Sequence, residues 1–425
     1  MLKEYPEYKE SGIDWIRKIP KYWKTLMLFQ CAEEYFKSNK NVHHQNLLSL
    51  SYGKIKRKDI NTKEGLLPAS FDDYQVVKKG NIILRLTDLQ NDHKSLRTGL
   101  VNETGIITSA YVCIKPRDNV TPEYLHWILH TCDSHKVFYG MGGGVRQSIG
   151  YTDISKMYFP IPPISEQNAI VKYLDYKTKQ IDEFVSAKEK EITLLEEFKR
   201  SLISDYVSKG KSQTEMKESG IEWIHKIPKH WKILMLFQCA EEYFKSNKDI
   251  HHQNLLSLSY GKIKRKDINT KGGLLPESFD NYQVVKKGNV ILRLTDLQND
   301  HRSLRTGLVT ETGIITSAYV CIKPRENVTP EYLHWILHCC DLHKVFYGMG
   351  GGVRQSIGYT DISKMYFPIP PLEEQNVIAD YLDKKTSEID TLISSIQKQI
   401  TLVKELRTKL IADAVTGKID VREAV

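Results

Sequence analysis

Metal-ligand spacing is missing from this chain. Its seven cysteines (Cys31, Cys113, Cys132, Cys239, Cys321, Cys339 and Cys340) form no CxxC pair, so neither a zinc site nor a disulfide framework is expected. The adjacent histidines His43-His44 and His251-His252 have no Cys or carboxylate at ligand spacing, and no metal is expected there either. Apolar runs stay far short of a membrane span, and residues 1–12 are charged with no signal-peptide core. A cytoplasmic location without membrane contact is the default. No Walker A, HExxH, G-x-S-x-G or aromatic-flanked Asn/Asp-Pro-Pro pattern occurs. No catalytic residue and no cofactor is therefore expected. A nuclease core escapes such patterns and would announce itself as metal-dependent cleavage by the chain alone.

What is present is a duplication. Residue i aligns with i+208 without a gap from Lys9 to about Leu202, and only eleven positions differ between Leu26 and Pro163. Among them are Glu64/Gly272, Lys94/Arg302, Asn102/Thr310 and Ser134/Leu342. So long a period is a duplicated domain pair, not a solenoid. At 425 residues, two to four domains are expected. The net charge of +9 is compatible with nucleic acid but weak by itself.

Each copy ends in a proline-stiffened entry and a long helical pattern. FPIPPISEQNAIVKYLDYKTKQID begins at Phe159, and FPIPPLEEQNVIADYLDKKTSEID at Phe367. The prolines exclude helix, so the first helix should start near Ser165. Ile181, Val185, Ile192, Leu195 and Leu202 then recur at spacings of four and three, with Lys188 and Lys199 as breaks. The twin runs Ile389, Ile393, Ile396, Ile400, Val403 and Leu410, with Arg407 as its break. That narrow seam predicts a coiled coil. A 40-residue rod is about 60 Å long. The linker at 208–218 reaches at most about 36 Å, so parallel rods would need a long return path. The expected fold is therefore α+β: two tandem mixed α/β heads (1–163 and 211–371) separated by two long helices (164–210, and 372–425 with the tail) forming an antiparallel coiled coil. A pseudo-two-fold reader suits an inverted repeat in duplex DNA, and the rod caps half-site separation at roughly 18 base pairs.

Within each head, SGIDWIRKIPKYWK and its copy read as an apolar clip, with Trp15, Trp23 and Trp127 expected in the core. A helix is expected over 26–37, strands over 46–52, 74–77, 81–86, 106–108 and 111–115, and a helix over 121–136 with Thr121 as N-cap and Pro122 at N1. Together these suggest a curved or barrel-like antiparallel sheet with peripheral helices.

This layout resembles the specificity subunit of type I restriction–modification systems. WIRKIPKYW, IPPISEQNAIVKYLDYKTKQID and their copies carry the resemblance, which covers essentially the whole chain. It implies heads that act as target-recognition domains, each reading half of a bipartite site. It further implies rods that space the heads and recruit two modification (adenine methyltransferase) subunits, to which restriction–translocation subunits add. Members of that family usually have two unlike heads. The near-identical heads here imply an interrupted palindrome on double-stranded DNA.

Three segments of each head are candidates for DNA contact. Basic residues Lys54, Lys56, Arg57 and Lys58, copied as Lys262, Lys264, Arg265 and Lys266, suit phosphates. Arg85, Thr87, Lys94 and Arg97, copied as Arg293, Thr295, Arg302 and Arg305, sit at a strand end; a salt-bridged turn pairing Arg85 with Asp88 is the competing reading. In the glycine-rich stretch 140–151, Arg146 suits guanine and Gln147 adenine, with Ser148 and Tyr151 beside them. Their copies are Arg354, Gln355, Ser356 and Tyr359. On this reading Arg146→Ala relaxes one half-site, whereas Lys56→Ala weakens every sequence alike. On the rods, Glu166, Gln167, Asp175 and Asp182, with Glu374, Gln375, Asp383 and Asp390, are candidates for the partner surface; ordinary helix solvation is the alternative. A coiled-coil scaffold whose twin heads bind protein is the rival function. It would lack the steep salt dependence of phosphate engagement.

Overall fold

The computed structural model describes residues 3–40, 42–61, 68, 70–92, 95–141, 148–211, 214–268, 276, 278–300, 303–349 and 356–424. The chain forms two compact units. One comprises Met1–Lys188 and Gln397–Val425, the other Glu189–Ile396. Each unit therefore takes a head, the start of one long helix and the end of the other. Those helices are Ile164–Lys209 and Leu372–Val415, 46 and 44 residues long.

In the first unit a four-stranded antiparallel sheet has the order Ala32–Glu34, Val112–Pro116, Ile82–Leu84, Thr98–Leu100. Four antiparallel ribbons surround it. The N-terminal clip is the hairpin Tyr8–Ile13 with Ile16–Pro20. Gln75–Val77 pairs with Gly105–Ile107, Lys24–Met27 with Tyr158–Ile161, and Leu48–Ser51 with Lys54–Arg57. The strands thus form one small sheet with separate ribbons, where the sequence suggests a single curved or barrel-like antiparallel sheet.

The expected helix over 26–37 does not form. Only Leu28–Cys31 makes one turn, with the Gln30 side chain accepting from the Met27 N–H at 2.8 Å. The flanking residues give their backbone groups to strands on both sides, and these tertiary pairings override local helix preference. The helix Pro122–Ser134 is capped by Thr121, whose side chain accepts from Tyr124 N–H at 3.3 Å. Trp23 is fully buried, and Trp15 and Trp127 pack partly buried against the same core.

That core extends into the helices. Ile170, Tyr173 and Leu174 from the start of one join Ile411, Ala414 and Val415 from the end of the other. Farther along the same pair Asp182 meets Arg407, so the two segments run in opposite directions. The second unit repeats the head strand for strand. There Ile203 and Val207 share a core with Ile378, Ala379 and Leu382, Tyr206 stacks on Tyr381 with ring centroids 4.3 Å apart, and Lys199 meets Asp390. Antiparallel packing is thus built separately into each unit. Ile181, Val185, Lys188, Ile192, Leu195, Lys199 and Leu202 are each partly buried. This is the seam read from the sequence, with lysines occupying two of its positions.

Candidate nucleic-acid interface

The basic hairpin and the loop at 85–92 of each head both adjoin residues 96–100. Strands Leu48–Ser51 and Lys54–Arg57 form a hairpin closed by two residues, Tyr52 and Gly53, at φ +46° and +75°. Both positive angles match the tight turn that follows strand twist. Tyr52 projects from the tip, 77% exposed. The hairpin lies flat on Gly99, where a Cβ would come within 2.6 Å of Leu50 and 2.9 Å of Ile55, so only glycine fits. Gly53 in turn faces Leu96. The segment read as a basic loop is therefore partly a strand.

Its cations divide into two groups. Arg57 is forked onto Glu103, with Nε 2.7 Å from one carboxylate oxygen, and Lys54 lies 3.7 Å from Asp182 on the rod. Lys56 and Lys58 are exposed and, among the described residues, enter no ion pair. Arg265, Lys262, Lys264 and Lys266 repeat this arrangement, with Lys262 at 3.2 Å from Asp390 and Arg265 on Glu311.

Arg97 is not on the surface: its exposure is 0%. Its guanidinium donates to the carbonyls of Arg85 (3.2 Å), Thr87 (2.7 Å), Asp88 (3.1 Å) and Asp92, and to Tyr139 Oη (2.9 Å). It therefore shapes the loop at 85–92 from inside and does not face a ligand. Arg305 does the same with Arg293, Thr295, Asp296, Asp300 and Tyr347. Arg85 and Arg293 are about a third exposed and pair with Asp92 and Asp300, each at 3.4 Å; the expected partner Asp88 holds a left-handed turn at φ +56° instead. Thr87 and Thr295 are half-buried.

The described residues on either side of the segment 142–147 bond to Arg97 and to this loop. Tyr139 is bound to Arg97 before it, and Ile149 N–H donates to Leu86 C=O at 3.0 Å after it. Ser148 and Ser356 are exposed. Tyr151 and Tyr359 each donate to a backbone carbonyl, of Ala32 and Ala240, both at 2.8 Å. Arg146, Gln147, Lys94 and their copies Arg354, Gln355 and Arg302 lie outside the described residues.

The eight rod residues expected at a partner surface are used within their units. Gln167 and Gln375 have 0% exposure. Gln167 accepts from Thr121 N–H at 2.7 Å and donates to the carbonyls of Asn119 and Pro162, tying the rod to the capped end of the head helix; Gln375 repeats this. Glu166 accepts from the Tyr5 and Tyr22 hydroxyls, whereas Glu374 takes His230 and Trp231 Nε1. Asp175 and Asp383 are bonded to Trp127 and Trp335, and burial raises both carboxyls. Asp182 lies between Lys54 and Arg407, and Asp390 between Lys262 and Lys199. Burial would raise the Asp390 carboxyl, but its two ammonium partners outweigh this and hold it below the usual range. Lys199 and Arg407, read as breaks in the seam, are therefore the ion-pair partners of Asp390 and Asp182. The sequence signal was available: Asp182/Asp390 and Lys199/Arg407 are each related by the 208-residue shift.

Exposed apolar side chains mark the rods instead. Phe184, Leu402 and Leu406 are 40–56% exposed in one unit, and Leu392, Leu194 and Phe198 are their counterparts in the other. In the first unit Phe184 and Leu406 line an open groove of about 380 Å³ with Tyr173, Ile181, Val403 and Leu410. No grouping of three or more metal-ligating side chains occurs among the described residues, and none of their helices is long and apolar enough to cross a membrane.

The sequence matches the family model described as the type I restriction modification DNA specificity domain over residues 52–220 and 306–402, more than half of the chain. The chain belongs to that family. Relatives of this specificity-subunit class come from Methanocaldococcus jannaschii. One, provisionally assigned as the type I restriction enzyme MjaX specificity subunit, is 27% identical over 73% of this chain and 71% of its own length. The MjaVIII specificity subunit is 22% identical over 82% and 81%. A chain from a solved structure described as the structural basis of complex assembly and conformational transition of the type I R-M system has a likeness of fold. Its TM-score is 0.69 at 15% identity, covering 94% of this chain and 99% of that one. The HsdS subunit from Thermoanaerobacter tengcongensis gives 0.52 at 16%, covering 94% and 98%.

Proposed function

We propose that this specificity subunit is the non-catalytic DNA reader of a type I complex in the cytoplasm, its heads (1–163 and 211–371) each taking one half of an interrupted palindrome. The observation that carries this reading is the repetition of one head fold, strand for strand, in two units that each join oppositely directed helices. Two equal readers turned about a two-fold axis match an inverted repeat. The rods set the half-site spacing and recruit two modification (adenine methyltransferase) subunits, to which restriction–translocation subunits add. Support for a docking face on the rods comes from the exposed Phe184–Leu402–Leu406 and Leu392–Leu194–Phe198 triads, which suit the apolar stripe of partner helices.

A shift assay with salt titration on the purified complex tests the DNA reading. Affinity should fall steeply and linearly in log–log form as salt rises, through counter-ion release from Lys56, Lys58 and their copies. Salt-independent or absent binding would favour a scaffold whose heads bind protein. Phe184→Asp with Leu406→Asp should abolish co-purification of modification subunits; unchanged recruitment would contradict the rod assignment.

A further inference from the structure

We propose that Tyr52, and Tyr260 in the second head, is an aromatic wedge on which an unstacked base of the half-site rests. The inference rests on the DNA reading above and deepens it.

The ring stands where a tyrosine folds poorly. Tyr52 and Tyr260 hold the first position of a two-residue hairpin turn, at φ +46° and +48°. Side chains with a Cβ resist that left-handed backbone, and such turns ordinarily take Asn, Asp or Gly there. The fold gains little in return, because each ring is 77% exposed. Backbone strain without burial points to a contact made outside the head.

The hairpin beneath the ring is a fixed pedestal. Leu50 and Ile55 sit opposite one another and pack down over Gly99 onto the small core that holds Val101 and Ile107. At its base Arg57 is forked on Glu103, and Leu47 bridges in parallel to Ile106. Next to the tip Gly53 faces Leu96, and Lys54 pairs with Asp182 at 3.7 Å. The second head repeats this, with Leu258 and Ile263 over Gly307 and Lys262 at 3.2 Å from Asp390. A side chain that must part a base stack needs such a rigid support.

Charge selects the partner. Residues 48–58 carry Lys54, Lys56, Arg57 and Lys58 and no carboxylate, and residues 256–266 copy them. Ser49 pairs with Lys56 and Ser51 with Lys54, so both lysines lie on the hairpin face turned away from Gly99. Ammonium groups behind an exposed ring match a polyanion built of planar rings. An apolar pocket on a protein would take the ring and gain nothing from the charges. In a closed duplex the base faces are covered, so the ring reaches one only at an opened step, such as the one left when a methyltransferase takes its adenine out of the stack. Every base has a π-face, so the contact adds affinity without reading sequence.

Asn suits the left-handed turn, so Tyr52→Asn and Tyr260→Asn remove the ring without unfolding the head, and each should raise the urea midpoint. Binding is measured in the complex with its modification subunits, on a duplex carrying the motif that the complex methylates and on a scrambled duplex of equal length. Each Asn change should weaken the target about tenfold, and both together about a hundredfold, with the salt slope unchanged because no phosphate contact is lost. The scrambled duplex, whose stack stays closed, should bind as before. Tyr52→Phe with Tyr260→Phe should bind the target like wild type. Target affinity kept within about twofold in the double Asn variant would overturn the wedge, as would an equal loss on the scrambled duplex or a loss that the Phe pair shares. A double Asn variant that no longer co-purifies with modification subunits would assign the rings to a protein contact and overturn it as well. A wild-type complex that binds neither duplex would remove the DNA reading itself.

Discussion

The two units are alike where the heads fold and unlike where the heads meet the rods. Arg97 and Arg305 make the same five contacts, and the distances given for both agree within about 0.2 Å. At the junction, Asp390 has Lys199 at 2.5 Å and Lys262 at 3.2 Å, whereas Asp182 has Arg407 at 3.6 Å and Lys54 at 3.7 Å. Glu374 is held by His230 and Trp231, but Glu166 is held by two tyrosines, and among the described residues the Trp23 indole nitrogen finds no partner. The head geometry is kept equal while the junctions vary. That is the pattern expected if both heads must read the same half-site and the rods need only be stiff.

The largest predicted effect probes likeness. Gln167→Ala leaves the Thr121 N–H and two carbonyls unmatched in a dry site, and should cost about 3 kcal/mol in urea unfolding. Gln375→Ala should cost the same. A difference of more than about 1 kcal/mol between them would show that the head–rod joints are not equivalent.

A pH series probes the second shared feature. His130 and His338 are buried, and burial pushes them down to about 4 and about 3; the Arg407 guanidinium adds to the first, and His334 and Lys199 to the second against an opposing Asp390. Both are neutral in the folded state and take up a proton more readily when unfolded. Their stabilising contribution is complete above about pH 6.5 and is lost as pH falls towards 4 and 3. Between pH 7 and 5 the loss should be on the order of 1–2 kcal/mol per histidine. His130→Gln and His338→Gln should flatten the profile; a profile unchanged by either would contradict the assignment.

Asp390→Asn against Asp182→Asn probes the difference. Both carboxylates are partly exposed, so the effects are small: about 1 kcal/mol for Asp390 and a few tenths for Asp182. Equal losses would mean that the shorter ion pairs of the second unit carry no extra weight. Smallest is Lys56→Ala or Lys264→Ala. Either should weaken all DNA sequences a few-fold and reduce the salt slope by about one.

Most of the architecture could be read from the chain because it rests on periodic signals. The 4–3 seam, the proline entry and the Thr121-Pro122 cap all act locally, and each reappears in the structure. The helix expected over 26–37 failed because strand partners 80 or more residues away decide that segment. Site assignment was harder for a similar reason. A long cation such as Arg97 looks alike in sequence whether it faces phosphate or a ring of carbonyls. Glu166 and Gln167 at the rod start look like surface residues in the sequence, yet Gln167 is bound to atoms 46 to 48 positions away as well as to nearby Pro162. The Asp182 and Asp390 bridges were legible in principle, since cations interrupting an apolar seam need carboxylates opposite them.

Equality of the two half-sites is what most directly separates this account from one with independent heads. Mapping methylated adenines on random-sequence duplexes treated with the purified complex measures it. The account predicts a bipartite motif that reads identically on both strands across a fixed gap; a motif whose two halves differ would contradict it.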